Sequence, residues 1–322
     1  MNLEDVKSLV AADMEAVNRA IQGQMQSAVP TIPALGSYLI ASGGKRLRPM
    51  VLLLATRLFG YQGSRHIPLA AVIEFIHTST LLHDDVVDGS EMRRNQATAN
   101  QVWGNAASVL VGDFLYARSF EVLVADGDLR ILKILAEATS VIAEGEVQQL
   151  ENTQNPDLDE AAYIAVIRAK TAKLFEASAR IGAVINERPP AEELALAEYG
   201  GLLGTAFQLI DDALDYSAES ATLGKNVGDD LAEGKPTMPF IHAMRESDPA
   251  GQAVLRQALA EEGLGSLDQV LEIIASTKAI EYTLGLARKI AGQAKSTLDI
   301  LPAGPQRDAL AYLADFSVER QF

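Results

Sequence analysis

The chain has 322 residues, of which 48% are hydrophobic, so it can bury a large core. Its net charge of −16 comes without a dense stripe of lysine and arginine, which argues against a nucleic-acid partner. The complete absence of cysteine excludes disulfides, thiolate metal sites and cysteine nucleophiles, and it fits a cytoplasmic location.

Helical periodicity runs along nearly the whole chain. In chain order, we predict helices over residues 3–27, 34–41, 49–59, 67–88, 106–125, 129–151, 159–184, 191–216, 237–245, 249–262, 266–275, 279–298 and 305–319. The charged, glycine-rich stretch 223–236 is predicted to be a loop with room for one helical turn. The N-terminus lacks a secretory signal, and no apolar run approaches the ~20 residues of a membrane span. Without strand pairs, repeats or a linker, the pattern predicts one all-α domain over 1–322.

Two of the predicted helices end in a triplet of carboxylates with the same i, i+1, i+4 spacing. The first triplet is Asp84, Asp85 and Asp88, and the second is Asp211, Asp212 and Asp215. The first and last members of each triplet share one helix face, and like charges so placed destabilise an isolated helix. A Mg²⁺ ion would reverse that cost, because it takes oxygen ligands from one or two carboxylates and from substrate phosphates. The repeated pattern therefore predicts a site for Mg²⁺ and a diphosphate.

Basic and amide side chains accompany both triplets. Lys45, Arg46 and Arg48 lie on a glycine-rich turn, residues 43–49, at the start of a predicted helix. Glycines allow a phosphate to approach, a helix start offers N–H groups, and arginine offers a bidentate fork. A solvated basic turn is the alternative interpretation. Other side chains that could bind diphosphate oxygens are Arg93, Arg94, Lys170, Thr171, Gln208, Lys225 and Lys235.

His77 suggests a different kind of site. Glu74 and His77 form a Glu-x-x-His pair, which is the ligand motif of di-iron helical bundles. That site requires a second such pair, and none of the other three histidines follows a glutamate at this spacing. The di-iron interpretation is therefore rejected, and a hydrogen-bonded core histidine is the alternative to a binding role for His77.

Taken together, these motifs resemble the trans-isoprenyl diphosphate synthases, the polyprenyl synthetase family, over roughly residues 40–240. The segments that carry the resemblance are Gly43–Pro49, Asp84–Asp88 with Arg93 and Arg94, Lys170–Thr171, Phe207–Asp215 and Gly224–Thr237. Three further segments resemble the bacterial members that make the octaprenyl side chain of ubiquinone. These segments are Glu74–Asp88, Gly104–Asp113 and Ile142–Val147.

The resemblance implies a single large helical bundle with a central cavity, and it also implies roles for the polar residues. It implies a homodimer that uses three Mg²⁺ ions to condense isopentenyl diphosphate with an allylic diphosphate such as farnesyl diphosphate. Asp84, Asp88 and Asp211 would bind Mg²⁺, with Asp85, Asp212 and Asp215 beside them. Isopentenyl diphosphate would be held by Lys45, Arg48, His77 and Arg94. The allylic diphosphate would be held by Arg93, Lys170, Thr171, Gln208, Lys225 and Lys235.

The length of the product follows from the same resemblance. In family members that make short products, an aromatic residue four or five positions before the first aspartate blocks the product tunnel. Here those positions hold Thr80 and Ser79, which are small, so a long product is expected. Leu135 is the predicted tunnel floor. An octaprenyl product is favoured over nonaprenyl, decaprenyl or geranylgeranyl products.

Two other functions are alternatives to this one. A class I terpene cyclase usually has a different second metal motif and needs no isopentenyl site, and a non-catalytic partner subunit typically lacks one acidic triplet. The intact second triplet argues against both alternatives, and the Lys45 and Arg48 turn argues against the cyclase.

Overall fold

The computed structural model describes residues 1–41, 44–93, 96–217, 227–260 and 264–319, with side chains at all of these except 40, 41 and 264. The fold class is all-α, as predicted. The helices are α1 (Leu3–Leu9), α2 (Ala11–Gln24), α3 (Thr31–Ala41), α4 (Leu47–Arg57), α5 (His66–Val87), α6 (Ala99–Trp103), α7 (Asn105–Asp126), α8 (Leu129–Glu151), α9 (Glu160–Ile167), α10 (Lys173–Ile185), α11 (Pro190–Asp215), α12 (Asp229–Ala232), α13 (Met238–Glu246), α14 (Pro249–Ala260), α15 (Leu267–Ser276), α16 (Ala279–Thr297) and α17 (Pro305–Glu319). Two short strands, β1 (Met92–Arg93) and β2 (Gln96–Ala97), form an antiparallel pair.

Most predicted helices are confirmed, with four differences. The short helix α6 was missed, since no predicted element covers its residues. The helix predicted over 3–27 is divided at Val10, whose backbone N–H closes a tighter turn onto Lys7. The β1–β2 hairpin was missed, because two-residue strands are too short to show a period of two. The helix predicted over 159–184 is interrupted by the π-helical turn Arg168–Ala172. Among the described helices, none is both long and apolar enough to cross a membrane.

The chain forms two compact units. The first unit comprises Met1–Thr139, Leu174–Gly200 and Lys295–Leu313, and the second comprises Ser140–Lys173, Gly201–Ala294 and Ala314–Phe322. The interpretation of residues 1–322 as one polyprenyl synthetase domain stays a prediction.

In the first unit, α5 is the central helix and packs against α7, α4 and α2. Residues 49–56 of α4 are buried on every side, so the apolar run in this region supplies core. Gly182 of α10 allows a close approach to α4, because a Cβ atom at position 182 would lie 2.5 Å from the Cβ of Ala55. Such tight contacts fix these helices relative to each other within the unit.

The contact between α5 and α7 includes two buried serines, and we call it the α5–α7 seam (Ser79, Leu82 and His83 on α5; Ser108 and Gly112 on α7). The Ser79 hydroxyl donates to the carbonyl oxygen of Gly112 at 2.8 Å, and the Ser108 hydroxyl donates to that of Leu82 at 3.0 Å. A Cβ at Gly112 would lie 2.3 Å from Nε2 of His83. The seam therefore holds the last turns of α5 firmly against α7.

The second unit contains two apolar clusters. One includes Tyr216, Leu231, Phe240, Leu255, Leu259, Val270 and Ile274. The other includes Tyr163, Ile167, Leu209, Ile210, Met238, Ile241 and Ala287. Both clusters contain residues at the C-terminal end of α11 or just beyond it, so this end of the helix is anchored in the core of the unit.

Candidate active site

The first acidic cluster (Asp84, Asp85 and Asp88) lies at the C-terminal end of α5 in the first unit. Asp85 is only 4% exposed, and one of its carboxylate oxygens accepts from Nε and Nη2 of Arg93 at 2.8 and 2.7 Å. Burial raises the pKa of Asp85, and the Arg93 guanidinium opposes that rise. Asp84 and Asp88 are half-buried. The sequence grouped Asp84 with Asp88 on one helix face, and the structure assigns Asp85 to the Arg93 ion pair.

Two residues that the sequence did not single out hold the end of this helix. The side-chain amide of Asn100 on α6 donates to the carbonyl oxygens of Asp85 and Ser90 at 3.2 and 3.3 Å. The hydroxyl of Thr98 donates to the carbonyl oxygen of Ser90 at 2.7 Å. The last carbonyl groups of a helix lack partners within the helix, so Asn100 satisfies one of them from outside. Nothing in the local sequence signals this role, because the two partners are fifteen residues apart.

The basic turn before α4 is anchored to α5 at two points. Arg46 adopts a left-handed backbone conformation with φ of 49° and forms an ion pair with the buried carboxylate of Glu74. Arg48 lies in the first turn of α4, with Nη1 3.2 Å from Nε2 of His77. Its guanidinium also stacks 4.4 Å above the ring of Phe175. The structure thus brings together Arg48 and His77, which the family resemblance assigns to one diphosphate site, while Lys45 is exposed on the same turn.

The second acidic cluster (Asp211, Asp212 and Asp215) lies at the C-terminal end of α11 in the second unit. Asp212 is buried and accepts hydrogen bonds from the Tyr163 hydroxyl and from Nε2 of Gln208, the latter at 2.7 Å. Burial and the nearby charge of Asp230 raise the pKa of Asp212, while the two donors oppose the rise. Burial raises the pKa of Tyr163 as well, which keeps its hydroxyl a donor.

Asp215 and Asp211 have different surroundings. Asp215 is buried, and its carboxylate accepts from the backbone N–H of Asp230 at 3.1 Å, so it fixes the start of the α12 turn. Asp211 is half-buried. The α12 turn falls within the stretch 223–236, as the loop prediction allowed.

Two of the polar residues predicted for the allylic diphosphate, Thr171 and Gln208, are connected to this cluster. The Thr171 hydroxyl donates to Oε1 of Gln208 at 3.0 Å, and Gln208 in turn donates to Asp212. Lys170 precedes Thr171 on the π-helical turn and contacts residues of α8. Nζ of Lys235 lies 2.7 Å from Oε2 of Glu233. The structure therefore joins Thr171, Gln208 and Asp212 into one hydrogen-bonded chain.

Four other predicted positions remain. Arg94 and Lys225 lie outside the described residues. Leu135 on α8 is buried in the first unit, and its role as tunnel floor stays a prediction. Thr80 is half-buried, and its hydroxyl bonds to the carbonyl oxygen of His77 on its own helix at 2.8 Å, unlike that of Ser79.

The donor set fits a hard divalent cation. Within the described ranges, no group of three or more histidine, aspartate or glutamate side chains is arranged to hold a metal ion. Mg²⁺ does not require such a group, because it commonly uses one or two carboxylates and completes its shell with waters and substrate phosphates. Asp84, Asp88 and Asp211 offer hard oxygen donors at helix C-terminal ends, where the helix dipole favours positive charge.

Comparisons with known proteins agree with this chemistry. The polyprenyl synthetase family model matches residues 29–275. The chain is 51% identical over 322 residues to the octaprenyl diphosphate synthase of Escherichia coli (strain K12), with 99% of each protein covered. It is 40% identical to the geranyl-diphosphate-specific all-trans-nonaprenyl-diphosphate synthase of Rhodobacter capsulatus, with 98% of each covered. A polyprenyl synthase from Caulobacter crescentus CB15, complexed with calcium and isoprenyl diphosphate, is similar with a TM-score of 0.95 and 47% identity, over 99% of this chain and 98% of that one. The chain therefore belongs to the polyprenyl synthetase family of prenyltransferases.

Proposed function

We propose that this protein is a long-chain all-trans-polyprenyl diphosphate synthase whose product is octaprenyl diphosphate. It adds isopentenyl diphosphate units in sequence to an allylic primer, with farnesyl diphosphate as the proposed starter. The observation that carries the proposal is the 51% identity to an octaprenyl diphosphate synthase over 99% of both proteins. The carboxylates at the ends of α5 and α11 supply the chemistry that this reaction needs.

The proposed roles follow the contacts within each unit. Lys45, Arg48 and His77 bind isopentenyl diphosphate, and stacking on Phe175 orients the Arg48 guanidinium for a bidentate contact with phosphate. Arg94 is proposed to join them by resemblance to the family. Each of the three described residues offers a donor to a phosphate oxygen, and none has to become a base in the reaction.

The allylic diphosphate is assigned to six residues. The described ones are Arg93, Lys170, Thr171, Gln208 and Lys235, and Lys225 is assigned by resemblance. Gln208 is held by Thr171 on one side and Asp212 on the other, so its amide is ordered before substrate arrives. An ordered group loses less entropy when it binds a ligand.

Mg²⁺ is the proposed cofactor, at three ions per active site. Asp84 and Asp88 would hold it in the first acidic cluster and Asp211 in the second. When bound, Mg²⁺ stabilises the negative charge of the departing diphosphate. Asp85, Asp212 and Asp215 support these ligands through the contacts with Arg93, Gln208 and Asp230.

The experiment that tests the function combines product analysis with two variants. The purified protein is incubated with farnesyl diphosphate, isopentenyl diphosphate and Mg²⁺, and the product mass is measured. We expect octaprenyl diphosphate from the wild type and a loss of at least roughly 100-fold in rate for Asp84→Ala and Asp211→Ala. Asp299→Ala, an exposed aspartate, is the matched control and retains activity.

Other outcomes of this assay would support other functions. Wild-type turnover in excess EDTA would contradict a Mg²⁺ requirement. A cyclic hydrocarbon formed without isopentenyl diphosphate would indicate a terpene cyclase, and no turnover would indicate a non-catalytic partner subunit. Products of nine or ten units, or of four, would move the assignment to another member of the family.

A homodimer is proposed as well, and the surface of α7 supports it. Leu110 and Val124 on α7 are 66% and 68% exposed, and helical geometry places them with the exposed Ala117 along one stripe. An apolar stripe of this kind is typical of a surface that pairs with another chain. Light scattering should give a dimer mass for the wild type and a smaller mass for Leu110→Glu combined with Val124→Glu.

A cytoplasmic location and a place in ubiquinone side-chain synthesis are proposed from the family resemblance, and cell fractionation tests the first of these.

A further inference from the structure

The segment Ile142–Val147 of α8 is part of the family resemblance, but none of the roles above uses it. Gly145 stands in its middle, facing the π-helical turn. A Cβ atom at position 145 would lie 2.8 Å from the Cβ of Ala169 and 2.9 Å from the backbone nitrogen of Lys170. Atoms of that kind cannot come so close, and the second contact is with backbone, which yields little. Glycine is therefore required for α8 to lie against this turn at its present distance.

The turn itself is unusual. The five residues Arg168–Ala172 form a π-helical turn between α9 and α10, although the sequence pattern predicts one continuous helix. π-helical turns are rare and occur frequently at functional sites. Here the turn carries Lys170 and Thr171, which are both assigned to the allylic diphosphate.

Two α8 side chains meet the Lys170 ammonium group. Its Nζ lies 2.6 Å from Oε2 of Glu146 and 2.7 Å from Oε1 of Gln149. Glu146 and Gln149 are three residues apart, so they share one face of α8. The Lys170 side chain is 19% exposed and that of Glu146 is 29% exposed, so the ion pair is partly shielded from solvent. Lys170 is therefore contacted by the carboxylate of Glu146, by the amide oxygen of Gln149 and, at its backbone, by Gly145.

We propose that Glu146 and Gln149 are positioning residues that fix the Lys170 ammonium group for the allylic diphosphate. The inference deepens the proposed function and rests on it, because it takes Lys170 as a ligand of that substrate. A lysine side chain has four rotatable bonds and loses much conformational freedom when it binds. The α8 contacts order the side chain before substrate arrives, so a smaller entropy loss remains for the binding step.

The positioning role predicts an effect on one substrate only. Glu146→Ala should raise KM for the allylic primer roughly tenfold, the order of magnitude expected from ordering one lysine side chain. KM for isopentenyl diphosphate should stay within about twofold of the wild type. Glu146→Gln retains an acceptor oxygen, so it should restore most of the lost affinity. Glu144→Ala, an exposed glutamate on the same helix, is the matched control and should leave both KM values unchanged.

A double-mutant cycle with Lys170→Met shows whether Glu146 acts through Lys170. In the Lys170→Met background, Glu146→Ala should have no further effect on KM for the allylic primer. An undiminished effect in that background would overturn the inference, and so would no effect in either background. Equal rises in both KM values for Glu146→Ala would indicate a purely structural role and would also overturn the inference. A melting temperature that Glu146→Ala lowers and Glu146→Gln does not restore would have the same meaning. Absence of elongation by the wild type would instead refute the proposed function, and with it the premise of this inference.

Discussion

The structure separates two neighbouring positions, Ser79 and Thr80, that only the family resemblance groups together. Ser79 is 1% exposed and its hydroxyl donates across the α5–α7 seam to Gly112, whereas Thr80 is half-buried and bonds within its own helix. Ser79→Tyr would lose the buried hydrogen bond, worth about 1 kcal/mol. It would also overpack the seam, which costs about 1–3 kcal/mol. The expected loss is therefore about 2–4 kcal/mol, or roughly 3–6 °C in melting temperature for a chain of 322 residues.

Thr80→Phe is expected to cost less than about 1 kcal/mol, because its half-buried site can take a larger side chain without moving α7. Both substitutions place an aromatic group where short-chain family members carry one. We therefore expect both variants to perform the first condensation and then release shorter products. Ser79→Ala removes the hydrogen bond without adding bulk, so it should make full-length product with a loss of about 1 kcal/mol.

The assay pairs thermal unfolding, followed by circular dichroism, with product mass measured well below the melting temperature of every variant. If Ser79→Tyr melted at the wild-type temperature, the seam would not be tightly packed at this position. Full-length product from both aromatic variants would refute the proposed place of the tunnel. A shorter product from Thr80→Phe alone would indicate that only Thr80 faces the growing chain.

Three further predictions concern stability. Gly182→Ala should destabilise the protein by about 1–2 kcal/mol, because the new Cβ meets the backbone around Ala55 and the overpacking exceeds the helix-propensity gain. Gly285→Ala, where a new Cβ meets no atom within 4 Å, should instead stabilise it by about 0.5–1 kcal/mol in the same urea titrations. His66 is buried, with Nε2 3.2 Å from Oδ2 of Asp13, and burial lowers the pKa of His66 below its usual 6.5. As pH falls below about 6.5 the unfolded chain gains a proton that folded His66 does not, so the unfolding free energy should drop by up to about 1.4 kcal/mol per pH unit. Urea titrations at pH 7 and pH 5.5 should show a smaller drop for His66→Gln than for the wild type.

The sequence predicts features that depend on regular spacing. The bounds of α5 and α8, and the carboxylates that end α5 and α11, follow from helical periodicity and are confirmed as helix positions. Periodicity reports which face of a helix is apolar, and that signal is strong in long helices. Family resemblance then gave the contact partners Arg48 and His77, which the structure places 3.2 Å apart.

Features that depend on single distant contacts were not predictable. Arg46 has a left-handed conformation and its guanidinium reaches Glu74, and nothing in the neighbouring residues predicts either feature. Asn100 caps α5 from another helix, and Gly145 is required only because the π-helical turn lies against it. Each of these residues is explained by a partner that sequence spacing alone does not bring near.

Helix α5 fixes the distance between a proposed isopentenyl diphosphate ligand, His77, and a proposed metal ligand, Asp84. His77 and Asp84 are seven residues apart, so they lie on nearly the same face, separated by two turns or ~10 Å of helix rise. The proposed contact to isopentenyl diphosphate and the proposed metal ligand are thus parts of one rigid rod. Insertion of one residue between them would rotate one site by ~100° relative to the other. We therefore expect substitutions of side chains such as Thr80 to change product length without loss of activity. An insertion between His77 and Asp84 should instead abolish activity, because it would misalign the two sites.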